Sequence, residues 1–189
     1  MGSMDNFNYL AVLISIILGL GITQLLSGFG RWVESRIAFP AYAPTMLWAA
    51  NLLLMHVQTW WAMYGLRFHT DWTFLEFIVV LLQPIALFLL AAVVLPSSTA
   101  AELDLKANYY TQRRWFFGLL VALLVVSLTR DIVLTGSLPD TGNVLFHGLF
   151  LVLSVCGWIT ARETYHRLMA WFSIAAIQAY VAVLFSQLR

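Results

Sequence analysis

Few side chains in this chain can do chemistry, and those that can sit inside apolar runs, where their spacing decides what they share. In the stretch HVQTWWAMYGLR, residues 56 to 67, His56 and Trp60 are one helical turn apart and point the same way, whereas Gln58 falls on another side with Asn51. Glu76 and Gln83 are seven residues apart and share a helical face, with Pro84 immediately after. A proline there removes one backbone hydrogen bond and frees the carbonyl of Val80, kinking a helix beside its polar face. Ser127, Thr129, Arg130 and Asp131 form one group, and Asn143, His147, Ser154 and Trp158 form one stripe. Carboxylates attract a cation or proton and imidazoles titrate or bind a ligand. The residues His56, Trp60, Glu76, Gln83, Arg130, Asp131 and His147 are therefore expected to line one ligand-binding pocket.

A plainer account competes with that pocket. Tryptophans gather at membrane interfaces, Glu76, Arg130 and Asp131 would suit solvated helix ends, and membrane histidines often only bond between helices. His56, His147 and Glu76 are also the residue types of a metal site, which would make the chain a membrane-embedded, metal-dependent enzyme. Nothing else favours an enzyme. No HExxH, GxSxG, Walker A or dinucleotide glycine pattern stands in a suitable context, and the single cysteine, Cys156, allows no cysteine metal cluster. No cofactor is expected.

The elements that must position these residues follow from composition. The chain has 189 residues, 61% hydrophobic and 10% charged, with a formal net charge of +1. Soluble domains carry roughly 25% charged residues, so this balance cannot cover a water-facing surface. Nucleic-acid binding has no basic footprint here. The opening Met-Gly-Ser-Met reads as a tag remnant before Met4, and the first apolar run is longer than a signal-peptide core. A spanning helix needs about 20 apolar residues, and segments at about 7–29, 42–65, 72–95, 114–135, 143–161 and 167–188 qualify. Backbone polar groups in lipid must be satisfied within the helix, so the expected fold is an all-α integral membrane protein, a compact bundle of six transmembrane helices in one domain. Thr99-Ala-Ala-Glu102 matches a capping box and predicts a short interfacial helix at about 100–112. Leu-Gly-Leu-Gly-Ile-Thr23-Gln24 is echoed by Val-Val-Ser-Leu-Thr129-Arg130, and Gln83 by Gln178, which admits a 3+3 inverted repeat.

Basic residues set orientation. Arg31, Arg36, Lys106, Arg113, Arg114, Arg162 and Arg167 fall in or beside the first, third and fifth loops, against Arg67, Arg130 and Arg189 on the opposite side. Cytoplasmic loops are enriched in Lys and Arg, so both termini are expected outside, in the periplasm of a bacterium, with the pocket in the outer half of the bilayer. Arg113 and Arg114, beside Tyr109, Tyr110 and Trp115, would suit anionic lipid headgroups. Small residues in the first and last spans would suit close helix contact within the bundle or in a homo-oligomer.

HVQTWWAMYGLR together with YYTQRRWFFGL, residues 109 to 119, resembles a group of small bacterial six-helix inner-membrane proteins of no assigned activity. The likeness covers nearly the whole chain and implies a multi-pass protein of the bacterial inner membrane, with no catalytic residue or cofactor to carry over. The expected function is a small channel, transporter or ligand-binding membrane protein taking a small solute or ion among membrane lipids. The alternatives are the metal-dependent enzyme and a structural or accessory subunit of a larger membrane complex. Cysteines placed in the first, third or fifth loop should resist a membrane-impermeant thiol reagent in intact cells, while one near the N-terminus should react; the reverse labelling overturns the orientation.

Overall fold

The structure is a computed structural model and describes residues 3–35, 41–95 and 104–187. Among them the chain is all-helical: α1 (Ser3–Ser35), α2 (Ala43–Met63), a 3₁₀ turn (Tyr64–Phe68), α3 (Phe74–Val94), α4 (Leu105–Thr135), α5 (Thr141–Ile159) and α6 (Glu163–Gln187). Four of these, α1, α3, α4 and α5, are long and apolar enough to cross a membrane. The helix α2 is diluted by Asn51, His56, Gln58 and Thr59, and α6 opens with Glu163, His166 and Arg167.

Local chemistry sets most of the ends. Pro44 opens α2, where its missing N–H has no partner to lose. Thr73 caps α3 through a capping box: its hydroxyl accepts from the Glu76 N–H (3.2 Å), and the Glu76 carboxylate accepts from the Thr73 N–H (2.7 Å). Asp104 caps α4 by accepting from the Lys106 and Ala107 N–H groups, and Gly136 ends it at φ 69°, a conformation that costs glycine little. Asp140 caps α5 at the Asn143 N–H (3.1 Å).

The separate interfacial helix expected at about 100–112 is instead, from Leu105 onward, the opening of α4, which continues unbroken to Thr135. Asp104 supplies the cap, and no glycine or proline between 105 and 117 interrupts the helix. The Thr99–Glu102 capping box lies outside the described residues, as do Arg36 and Arg189.

The helix α3 packs between α1 and α4, and α5 extends that row on the far side of α4. Across the row, α2 lies against α1, α3 and α6. The two halves of the chain pack differently: α1 and α3 are in close contact, whereas α4 and α6 have no close backbone approach among the described residues. That pattern does not mirror a 3+3 repeat. On α1, Leu10, Ile14, Leu18 and Leu25 are buried while Tyr9, Val12, Ile16 and Leu20 are exposed, so one face meets the bundle and an equally apolar face looks outward. Apolar surface on that scale suits lipid tails and would be a liability in water.

Polar side chains join the helices inside. Gln24 donates to the Leu95 carbonyl at the end of α3 (2.8 Å), and Asn51 donates to Ser173 of α6 (2.7 Å), whose hydroxyl donates in turn to the Ala170 carbonyl. Glycines set the closest approaches. A Cβ at Gly21 would collide with Nε2 of His56, and one at Gly157 would stand 2.7 Å from the Phe117 ring. Gly21→Ala is therefore expected to lower stability by about 1–3 kcal/mol through overpacking, with partial rescue in Gly21→Ala/His56→Ala. Gly19→Ala, with nothing within 4 Å, should be near neutral; equal melting of the two single variants in detergent would refute the close packing.

Candidate functional site

The polar residues of α3, α4 and α5 meet around Arg130. Gln83 is nine residues into α3, roughly 13 Å from its start, and Arg130 is five residues from the end of the antiparallel α4, roughly 7 Å in. The arginine reaches along the helix axis to close that offset, and its Nη1 donates to Oε1 of Gln83 (2.5 Å). Nε and Nη2 donate to Oδ1 of Asp131 (3.1 and 2.7 Å). The guanidinium thus spends three of its five N–H bonds inside the protein, and the adjacent carboxylate balances its charge.

Two chambers adjoin this cluster. The first, of about 260 Å³, has polar groups from Gln58, Thr59, Gln83, Ser127, Arg130 and His147, with Trp48, Phe146, Phe150 and Tyr180 among its apolar walls. The second, of about 430 Å³, has Asp131, His69, Thr135 and the Val80–Pro84 turn on its walls. Thr59, Ala62, Gln83 and Arg130 line both, so the Arg130–Gln83 hydrogen bond stands where the chambers meet. Val80 and Pro84 face the second chamber together, which puts the proline-disrupted turn of α3 beside the cavity.

His147 is held from two sides. Its Nδ1 donates to the Asn143 carbonyl (2.9 Å), and Nε2 lies 3.2 Å from the Ser127 hydroxyl on α4. With the proton of the neutral ring on Nδ1, Ser127 donates to Nε2. Ser127 and Arg130 are three residues apart on one face of α4, so His147, Ser127, Arg130 and Gln83 form a continuous polar wall across α5, α4 and α3.

The other expected site residues lie elsewhere. His56 is fully buried and lines neither chamber; its Nδ1 donates to the Leu52 carbonyl (2.7 Å), and Nε2 abuts Gly21 on α1. Trp60 is half exposed on the outer surface of α2. Glu76 is engaged by its capping box and lies 3.3 Å from Nε2 of His69, which itself lines the second chamber. The structure thus brings together Gln83, Arg130, Asp131 and His147 and leaves His56, Trp60 and Glu76 apart. Among the described residues no group of three or more His, Cys, Asp or Glu is placed to hold a metal ion, and the suggested set of His56, His147 and Glu76 is divided among three surroundings.

Sequence reasoning missed Met55, Thr59 and Ala62, although with Gln58 they sit at i, i+4, i+7 and i+3 and so mark one helical face. Tyr180 carried no comparable signal. It enters the site because its ring stacks on Phe146 across the α5–α6 gap (centroids 5.1 Å apart). No protein-family model, curated protein or solved structure matches the chain.

Gln83→Leu removes the acceptor of Arg130 Nη1 and leaves that N–H facing apolar surroundings. A loss of about 1 kcal/mol is expected, above the ~0.6 kcal/mol average for membrane hydrogen bonds because one partner is charged. Gln58→Leu should change stability less, since Gln58 lines the first chamber but has no hydrogen-bond partner among the described residues. Unfolding in detergent compares the two, and equal losses would deny the Arg130–Gln83 bond a structural role.

Proposed function

We propose that the chain is a multi-pass membrane protein of the transporter or ligand-binding kind, taking a small uncharged amphiphile into the cleft between α2, α3, α4, α5 and α6. The observation that carries this reading is the pair of chambers meeting at the Arg130–Gln83 bond. Small-molecule sites combine apolar and aromatic walls with a few convergent polar groups that fix orientation, and the first chamber has that composition. Its volume lies just below the usual range for drug-sized ligands, which favours a small solute.

Charge selects among such solutes. Arg130 is already balanced by Asp131, so an anion would leave the cleft with excess negative charge and a cation with excess positive charge, both costly at low dielectric. A neutral head group with an acceptor oxygen can take one of the two remaining guanidinium N–H bonds while its tail lies along Phe146, Phe150 and Trp48. A second chamber across the Arg130–Gln83 bond favours passage over simple retention.

In this reading all six helices span the bilayer, with α2 and α6 shielded by their neighbours, and the membrane is the bacterial inner membrane. The basic residues near the 35–41, 95–104 and 159–163 connections support cytoplasmic loops there and periplasmic termini. The chambers then belong to the outer half of the bilayer.

Binding of 2-decanone, decanoate and decyltrimethylammonium to the protein in neutral-lipid nanodiscs tests the reading against empty discs. Saturable uptake is expected for the ketone alone. Ala62→Phe, which puts bulk where both chambers meet, should abolish it while leaving the melting temperature within a few degrees. Non-saturable uptake of all three probes, or uptake unchanged in Ala62→Phe, would overturn the cleft as a binding site.

A further inference from the structure

Arg113 and Arg114 are neighbours in sequence with different surroundings. Arg113 is 8% exposed and donates through Nη1 to the carbonyl of Thr160 at the C-cap of α5, where the last carbonyls of a helix attract a cation. His166 donates to the same oxygen from Nε2 (3.0 Å), and its Nδ1 accepts from the Tyr109 hydroxyl (2.9 Å). Lys106 and Arg167 both close on Glu163, at 2.8 and 2.7 Å, and their hydrogen bonds and charge hold its carboxyl below the usual range. Lys106, Arg113 and Arg167 are thus committed within the protein.

Arg114 is different. It is exposed, it makes no ion pair or hydrogen bond among the described residues, and it sits about 100° around α4 from Arg113. It stands at a groove of about 700 Å³ between α4 and α5, whose other lining residues are Trp115, Val155, Trp158 and Ile159. Trp115 and Ile159 are 72% and 76% exposed, so the groove is an open apolar trough with one unneutralised cation.

We propose that this groove binds an anionic phospholipid, with the phosphate at Arg114 and an acyl chain along Val155, Trp158 and Ile159. Charge complementarity argues for the phosphate. The trough argues for a lipid over a soluble anion, because a free ion would satisfy Arg114 and leave the tryptophans and Ile159 uncovered. Tryptophan is also the residue type that settles at headgroup level, with an apolar ring beside a polar N–H. Arg113 contributes stability by closing α5, and Arg114 contributes the lipid preference.

The test uses the full chain in phosphatidylcholine nanodiscs carrying increasing mole fractions of brominated phosphatidylglycerol or brominated phosphatidylcholine, with quenching of tryptophan fluorescence as the readout. Half-maximal quenching is expected at a lower fraction of the glycerol lipid. Arg114→Gln should reduce that preference about fivefold, the factor corresponding to one basic residue at a membrane surface, and Arg114→Lys should keep most of it. Arg113→Gln should lower the melting temperature and leave the preference in place. Equal quenching by the two lipids, loss of preference in Arg113→Gln but not in Arg114→Gln, or relief of the preference by inorganic phosphate alone would each overturn the proposal.

Discussion

Inside hydrocarbon a polar side chain that lacks a protein partner has no water to replace it, and that constraint organises this bundle. Apolar faces alone would let the helices slide, since one row of Leu, Val and Ile packs much like the next. The polar contacts remove that freedom. Gln24 fixes α1 against the end of α3, Asn51 fixes α2 against Ser173 of α6, Arg113 and His166 fix α4 and α6 against the end of α5, and Arg130 fixes α4 against Gln83. Each contact is worth little by itself, on the order of 0.6 kcal/mol, but each has one geometry, so together they select one register among many of similar packing energy.

Several of these contacts use backbone carbonyls that helix geometry leaves free. Gln24 and Arg113 bond the carbonyls of Leu95 and Thr160, at the C-terminal ends of α3 and α5, where the intrahelical ladder has run out of donors. Such a bond satisfies two requirements at once, because the carbonyl needs a donor and the side chain needs an acceptor. Gln24, Asn51, Arg113 and His166 are thus used in closing helix ends or joining neighbours.

That use explains what was legible in the sequence and what was not. The six long helices followed from apolar run length, although α4 begins well before its apolar run, and one-faced burial followed from 3.6-residue spacing, as Leu10, Ile14 and Leu18 show. Spacing says which residues share a face but not which neighbour that face meets. His56 illustrates the gap: its burial and its separation from Gln58 were readable, yet it meets Gly21 of α1, a pairing set by tertiary packing. Glu76 shows the converse: Thr73-Phe-Leu-Glu76 carries the spacing of a capping box, and the carboxylate that its position between apolar residues also suits for a pocket closes a helix end. Gln83, Arg130, Asp131 and His147 were identifiable as polar groups in spans, but their convergence depends on the antiparallel offset of α3 and α4 and on the reach of one arginine.

The position of the first chamber has a cause of the same kind. α5 and α6 are joined by a short connection, yet their backbones make only sparse contact, and Phe146 with Tyr180 and Phe150 with Phe172 bridge the space by stacking (centroids 5.1 and 6.0 Å apart). Small residues would have let these helices close. Aromatic spacers hold them apart, and flat rings fill the gap incompletely, so space remains beside them. Along the polar wall Ser127, Arg130 and His147 have their main bonds already made within the protein. These groups are therefore oriented by the protein itself, before any solute is considered. Under the proposed reading a solute would be spared the cost of arranging them, and a cleft with so few polar groups could then select a head group of matching shape.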